Sequence, residues 1–190
     1  MKYYQEITIL ETFDLSENYI LNKVFLDLHK EFVKFNNSNG FFLPISFPMY
    51  DKNIRTLGNK IRIFFETESE YNMLDINNSL RKYNDFVHFS KIRPIPNLYQ
   101  YGCYSRKQSK SNYNRLARRY AKRKNISFDE ALEYYYSAEN KYISLPYINL
   151  FSSSSNQNYK LFIEFEIKQQ ETFGSFNSFG LSKNGTVPIF

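Results

Sequence analysis

The chain reads as an α+β protein in two halves, and three features of the sequence point there. The first half alternates strand-like and helix-like periods. A proline-bearing segment then interrupts any regular element. Beyond it lies a run of basic residues at helical spacing.

Taken in order, "YYQEITILETF" (Tyr3 to Phe13) has the alternation and β-branched content of a strand. "NYILNKVFLDLHKEFVKF" (Asn18 to Phe35) places Leu21, Val24, Phe25, Leu28 and Phe32 on one helical stripe, as an amphipathic helix requires. "GFFLPISFP" and "NKIRIFFET" read as two further strands, a weaker helix is expected over Ser69 to Lys82, and a strand near Phe86 to Ile92. The order β-α-β-β-α-β is the split βαβ, or ferredoxin-like, arrangement, a sheet with two helices on one face.

Pro94 and Pro96 in "KIRPIPNLY" cannot sit inside a helix or a central strand, so the boundary falls there. It gives an N-terminal ferredoxin-like domain over residues 1–95 and a C-terminal α/β half over residues 96–190. That second half starts with a short strand-like piece and the basic helix. A second helix then opens with the capping box "SFDE", in which Ser127 and Glu130 can satisfy each other's backbone N–H groups. "YINLF", "YKLFIEFEI" and "SFGLSKNGTVPIF" close the chain as strands and loops.

The charge is unevenly spread. From Ser105 to Lys124, "SRKQSKSNYNRLARRYAKRK" holds nine basic residues and no acid; without those nine, the 25 basic residues of the chain become 16 against 19 acidic ones. A local cationic patch on a near-neutral chain is the footprint of a polyanion partner. No window approaches the roughly 20 apolar residues of a membrane span, and the start "MKYYQEITIL" lacks a secretory apolar run. A single cysteine, Cys103, cannot form an intramolecular disulfide. The expected setting is therefore cytoplasmic, with nucleic acid rather than a membrane as the partner. The 17 Tyr and 19 Phe are accounted for by a β-rich core, where aromatic residues are favoured.

With Ser111 or Asn112 as N-cap, Arg115, Arg118, Arg119, Lys122 and Arg123 recur every three or four residues and share one helical face, while Tyr113, Leu116, Ala117 and Tyr120 gather on the other. A merely solvated helix intersperses Glu among its cations to form i,i+4 pairs; this one sets like charges side by side, which favours phosphate binding. Arg106 and Gln108 lie two residues apart, on one side of an extended segment. Arg suits a guanine O6/N7 edge and Gln an adenine N6/N7 edge. The major groove of A-form RNA is too narrow for such reading, so an open place such as the end of a stem is needed.

Only His29 and His88 offer an imidazole. His29 follows Leu28 at the edge of the apolar stripe, and His88 alternates within "FVHFS"; an ordinary structural role fits either residue on sequence grounds alone. There is no Cys/His spacing for zinc, no H-E-x-x-H and no close run of acids for two metals. "GLSKNG" lacks the order of a phosphate loop.

Several stretches together resemble the CRISPR repeat-RNA processing endoribonucleases of subtype I-F, the Csy-type family. They are "VFLDLHKEFV", "ISFP" with "LGNKIRI", "SRKQSKSN" leading into "RLARR", "SSSSNQNYKLFI" and "FGLSKNGTVPIF", and they span nearly the whole chain. The resemblance implies binding of a CRISPR repeat stem-loop and cleavage at the 3′ base of the stem. Attack by the RNA's own 2′-hydroxyl leaves a cyclic phosphate, with no cofactor and no metal. The protein would then stay on the guide RNA and join the other subunits of the type I-F interference complex.

By position, His29 matches the family's catalytic histidine and Ser152 its active-site serine, with Ser154 the rival within the serine run. Arg106 and Gln108 match the base readers, and Arg115, Arg118, Arg119, Lys122 and Arg123 the phosphate-contacting helix. Tyr159 matches an aromatic that stacks on the terminal base pair. Phe179 stands where the family often has an active-site tyrosine in "YGLSK", and Ala117 where another arginine is frequent. The missing hydroxyl at Phe179 keeps a second reading open, a non-cleaving subunit that caps the hairpin inside a ribonucleoprotein. A duplex DNA binder fits less well, since it leaves His29 without a role.

Overall fold

The computed structural model describes residues 1–97, 99–108, 113–138, 144–152 and 156–190. By its contacts the chain divides into two compact units, Met1–Lys107 with Leu145–Phe190, and Gln108–Ser144.

The larger unit opens with β1 (Tyr3–Ile9), which stops short of the expected Phe13. The cause is a local turn: the Thr12 hydroxyl donates to the Leu15 carbonyl at 2.9 Å and accepts the Leu15 N–H at 3.3 Å. Ser16 then caps α1 (Glu17–Asn39), accepting the Tyr19 N–H. The helix outruns its expected end at Phe35 and continues through polar residues to Gly40. There a left-handed φ of 79° lets the Gly40 N–H close on the Asn36 carbonyl. Ile20, Leu21, Val24, Phe25, Leu28, Phe32 and Phe35 are its buried stripe.

Of "GFFLPISFP" only β2 (Ile45–Ser46) forms ladder pairs, because Pro44 has no N–H to give. β3 (Lys60–Phe65) follows. The expected helix over Ser69 to Lys82 is broken at Asp75, whose φ is 40°. It becomes α2 (Glu68–Leu74), α3 (Ile76–Ser79) and a 3-10 turn over Arg81–Tyr83. β4 (Val87–Phe89) and the two-residue β5 (Arg93–Pro94) complete the first sheet, which runs β2-β3-β1-β4 with every pair antiparallel. β5 pairs with the start of β1, so Pro94 sits at the end of a ladder.

β3 is buried on both faces, which explains why apolar residues stand on both of them beside the buried Arg62. Ile61 and Ile63 lie in register with Ile7 and Gln5, and Gln5 donates to Asn77 on α3. On the opposite face the Arg62 guanidinium forms a 2.8 Å ion pair with Glu6, donates to the Phe190 carbonyl at 3.0 Å and lies 3.8 Å from the centre of the Phe190 ring. The last residues of the chain are thus fastened to the first sheet.

The second sheet is β7-β8-β6-β9, built from β6 (Gln100–Lys107), β7 (Tyr147–Ser152), β8 (Gln157–Lys168) and β9 (Val187–Ile189). β6, expected as a short piece, is eight residues long and lies between β8 and β9. One apolar core joins residues of α1 and both sheets.

The smaller unit contains α4 (Tyr113–Lys124) and α5 (Phe128–Ala138). The capping box forms as expected: the Ser127 N–H donates to Glu130 at 3.0 Å and the Glu130 N–H to the Ser127 hydroxyl at 3.1 Å. The aromatic side of α4 packs on α5, with Tyr120 and Tyr134 stacked 4.9 Å apart at 7° and Tyr113 5.6 Å from Tyr136. Among the described residues no helix is long and apolar enough to cross a membrane.

Candidate functional site

His29 sits on α1 immediately beyond the buried Leu28 and is half-buried. Its Nδ1 lies 2.7 Å from the Ser178 carbonyl oxygen. A carbonyl can only accept, so Nδ1 carries the proton and donates it, and in the neutral ring Nε2 is left as the acceptor nitrogen. The imidazole also lies against the Phe179 ring, with centroids 4.3 Å apart and planes at 22°. Phe25, one turn before His29, stacks on Phe179 as well, at 6.2 Å and 10°.

The loop that presents Ser178 and Phe179 is held by Asn177. Its side-chain oxygen accepts the Phe179 N–H at 2.9 Å and the Leu181 N–H at 3.3 Å, and its backbone exchanges bonds with Gly180 and Leu181. Gly180 turns the chain with φ of 71° and passes so near the core that a Cβ there would stand 2.8 Å from Ile45 Cγ2. Its carbonyl accepts the Ile45 N–H, which ties the loop to β2.

Asp27, two residues before His29, is turned elsewhere. Asp27 is bound by Lys30 at 2.6 Å, Lys82 at 2.7 Å and the Tyr83 hydroxyl at 2.7 Å. Burial pushes its carboxyl up, but these three partners outweigh burial and bring it down to about 2. Asp27 also pushes the Tyr83 phenol up, adding to the effect of burial.

Three further residues named from sequence share one face of the second sheet. Arg106 stands opposite Ile163, Leu150 opposite Tyr159, and Ser152 opposite Gln157. Because strand side chains alternate, Arg106, Tyr159 and Ser152 all lie on the face that buries Ile148, Leu150, Leu161 and Ile163. The Arg106 guanidinium is 5.8 Å from the Phe179 ring centre and 6.0 Å from that of Tyr159, so His29, Phe179, Arg106 and Tyr159 form one connected cluster. α1 is docked on β7, the strand that ends at Ser152, through Asn22, whose side-chain oxygen accepts the Asn149 N–H at 3.0 Å. Ser154 lies outside the described residues.

In the smaller unit Arg115, Arg118, Arg119, Lys122 and Arg123 are all exposed, whereas Ala117 is fully buried, the division expected of a helix with a cationic outer face. Arg118 lies 5.9 Å over the Phe128 ring and Arg123 5.5 Å over that of Tyr120. Gln108, exposed, directly follows β6. Among the described residues no three His, Cys, Asp or Glu side chains converge as a metal-binding group.

Sequence reading named His29 and Phe179 but not what joins them. Ser178 and Asn177 contribute a carbonyl and a turn rather than a reactive side chain, and the only trace of that role is the Asn-x-x-Gly spacing of a tight turn.

The family of the CRISPR-associated protein (Cas_Csy4) matches residues 4–190. The CRISPR-associated endonuclease Cas6/Csy4 of Escherichia coli (strain UTI89 / UPEC) is 28% identical over 191 residues, covering 100% of both chains. The protein of the same name from Pseudomonas aeruginosa (strain UCBPP-PA14) is 29% identical over 193 residues, again covering 100% of both. With its full length aligned to these relatives, and with its histidine, basic helix and terminal loop accounted for in the fold, the chain belongs to the Csy4 family of CRISPR-associated proteins.

Proposed function

We propose that this protein is a metal-independent endoribonuclease that matures CRISPR RNA. It binds the repeat stem-loop, cuts at the 3′ base of the stem and remains on the guide RNA within the type I-F interference complex in the cytoplasm. The observation that carries the reading is the fixed imidazole: His29 Nδ1–H donates a hydrogen bond to the Ser178 carbonyl and the ring rests on Phe179, beside Arg106 and Tyr159.

The reaction needs no protein nucleophile. The ribose 2′-hydroxyl upstream of the cut attacks the adjacent phosphorus, His29 Nε2 takes its proton, and the P–O5′ bond breaks with the leaving 5′-oxygen picking up a proton from water, giving a 2′,3′-cyclic phosphate and a 5′-hydroxyl. Ser152 orders the attacking ribose. General base assistance of this kind is worth about 10² to 10⁴-fold, and alignment of the hydroxyl adds to it. Tyr159 provides a stacking surface where the duplex ends, and Arg106 and Gln108 read the terminal base pairs. The α4 cations Arg115, Arg118, Arg119, Lys122 and Arg123 hold the stem's phosphates. The order β2-β3-β1-β4 supports a ferredoxin-like domain over residues 1–95, with residues 96–190 as the RNA-binding half.

Phe179 favours, as a second reading, a subunit that caps the hairpin without cutting it. The stacked Phe179 ring nevertheless keeps the imidazole aligned without a hydroxyl. Mass spectrometry of the products formed with a repeat hairpin tests the choice: a cyclic phosphate and a 5′-hydroxyl are expected. A 5′-phosphate with a 3′-hydroxyl, or uncut RNA bound tightly, would exclude the proposed chemistry.

A further inference from the structure

We infer that Asn177 is a positioning residue for His29, acting through the Ser178 carbonyl and the Phe179 ring. The inference rests on the reading of His29 as the catalytic base. Asn177 is itself exposed, so burial does not explain its place. Its side-chain oxygen takes two backbone N–H groups, those of Phe179 and Leu181, while its own carbonyl takes the Gly180 N–H at 2.8 Å and its own N–H reaches the Leu181 carbonyl at 2.9 Å. Four bonds on one residue close the turn around Ser178.

That turn delivers both groups which define the imidazole. The Ser178 carbonyl accepts from Nδ1 at 2.7 Å and so selects the tautomer with Nε2 unprotonated. The Phe179 ring, 4.3 Å away, sets the ring plane. The other end of the loop is fixed independently, by the Gly180 carbonyl on the Ile45 N–H and by the Ser182 N–H on the Tyr104 carbonyl. Loss of the Asn177 side chain therefore loosens Ser178 and Phe179 while leaving the anchors to β2 and β6 in place. Short polar side chains that bond to backbone two and four residues ahead hold turns in this way.

The test compares Asn177→Ala, Asn177→Asp and Asn177→Ser in the full chain by two readouts. The first is the ¹⁵N shifts of the two His29 ring nitrogens in the RNA-free protein, which report the tautomer. The second is single-turnover cleavage of the repeat hairpin alongside its affinity.

Asn177→Ala is expected to lose the preference for a protonated Nδ1 and to cut about 10 to 100-fold more slowly, the scale of a small misplacement of a catalytic group. Its RNA affinity should change by less than about 3-fold, because the residue lies off the cationic helix. Asn177→Asp keeps an acceptor oxygen in the place of Oδ1 and should restore tautomer and rate, and Asn177→Ser, whose hydroxyl oxygen sits closer to the backbone, should fall between. Unchanged ring shifts and rate in both the Ala and Ser variants would overturn the inference. Because the ring shifts are read without RNA, they judge Asn177 even if His29→Ala cleaves normally. That last outcome would remove the catalytic reading alone.

Discussion

His29 lies flat on Phe179, the ring centroids 4.3 Å apart, with its Nδ1 bound to the carbonyl of the residue just before that phenylalanine. Two neighbouring loop residues thus fix both the tilt and the tautomer of one imidazole. Replacement of His29 by Ala is expected to slow cleavage of the repeat hairpin by at least about 10²-fold. Affinity should stay within about 3-fold, because His29 is not among the phosphate-binding cations. Single-turnover kinetics and filter binding on the same RNA separate the two quantities.

Phe179 is buried between the helix and its own loop, so its removal should affect both folding and rate. Phe179→Ala is expected to lower stability by about 3 kcal/mol, the lower end for emptying a phenylalanine site. Phe179→Tyr should retain the stacking and cleave at least as fast as the parent. Thermal unfolding together with cleavage rates checks both.

Gly180 combines a left-handed φ with core atoms on every side: a Cβ would lie 2.8 Å from Ile45 Cγ2 and 3.0 Å from both the Leu43 carbonyl and Phe32. Gly180→Ala is therefore expected to cost about 2 kcal/mol or more, from the left-handed strain and the overpacking together. Chemical denaturation is the measurement, and an unchanged midpoint would argue against the loop geometry.

The α4 cations predict a salt dependence. If each of the five displaces about one counterion, the log–log slope of affinity against salt is about −4.5, from roughly −0.9 per phosphate. Substituting both Arg119 and Lys122 with Ala should make that slope shallower by about 2. Affinity measured across a salt series gives both numbers.

Asp27 ties α1 to Lys82 and Tyr83, and its carboxyl, at about 2, lies below the ordinary 3.8 of the unfolded chain. The folded state thus holds the charged form more tightly, and the resulting stability is complete above about pH 4 and lost as pH falls towards 2. Asp27→Asn should be less stable than the parent at neutral pH, and the gap should close in acid. Urea unfolding at several pH values tests the sign.

The sequence made some elements plain because their cause is local. The apolar stripe of α1, the Ser127–Glu130 capping box and the division of α4 into cationic and aromatic sides all arise from residues within a turn of one another. Other features arise from distant partners and left little local trace. Nothing near β3 in the chain shows that Phe190 covers its second face through Arg62. The break at Asp75 depends on a single left-handed residue within a helix-like pattern. At the site His29 was visible as one of only two histidines, whereas its partner carbonyl at Ser178 lies 149 residues away and carries no side-chain signature.

The central claim is that the RNA supplies its own nucleophile to a fixed imidazole. It is tested most directly by cleavage in EDTA of a repeat hairpin whose nucleotide just upstream of the cut lacks the 2′-hydroxyl. The unmodified hairpin should be cut in EDTA, and the 2′-deoxy hairpin should bind as tightly yet stay whole. Cleavage of the deoxy substrate, or a requirement for divalent metal with the natural one, would contradict the account.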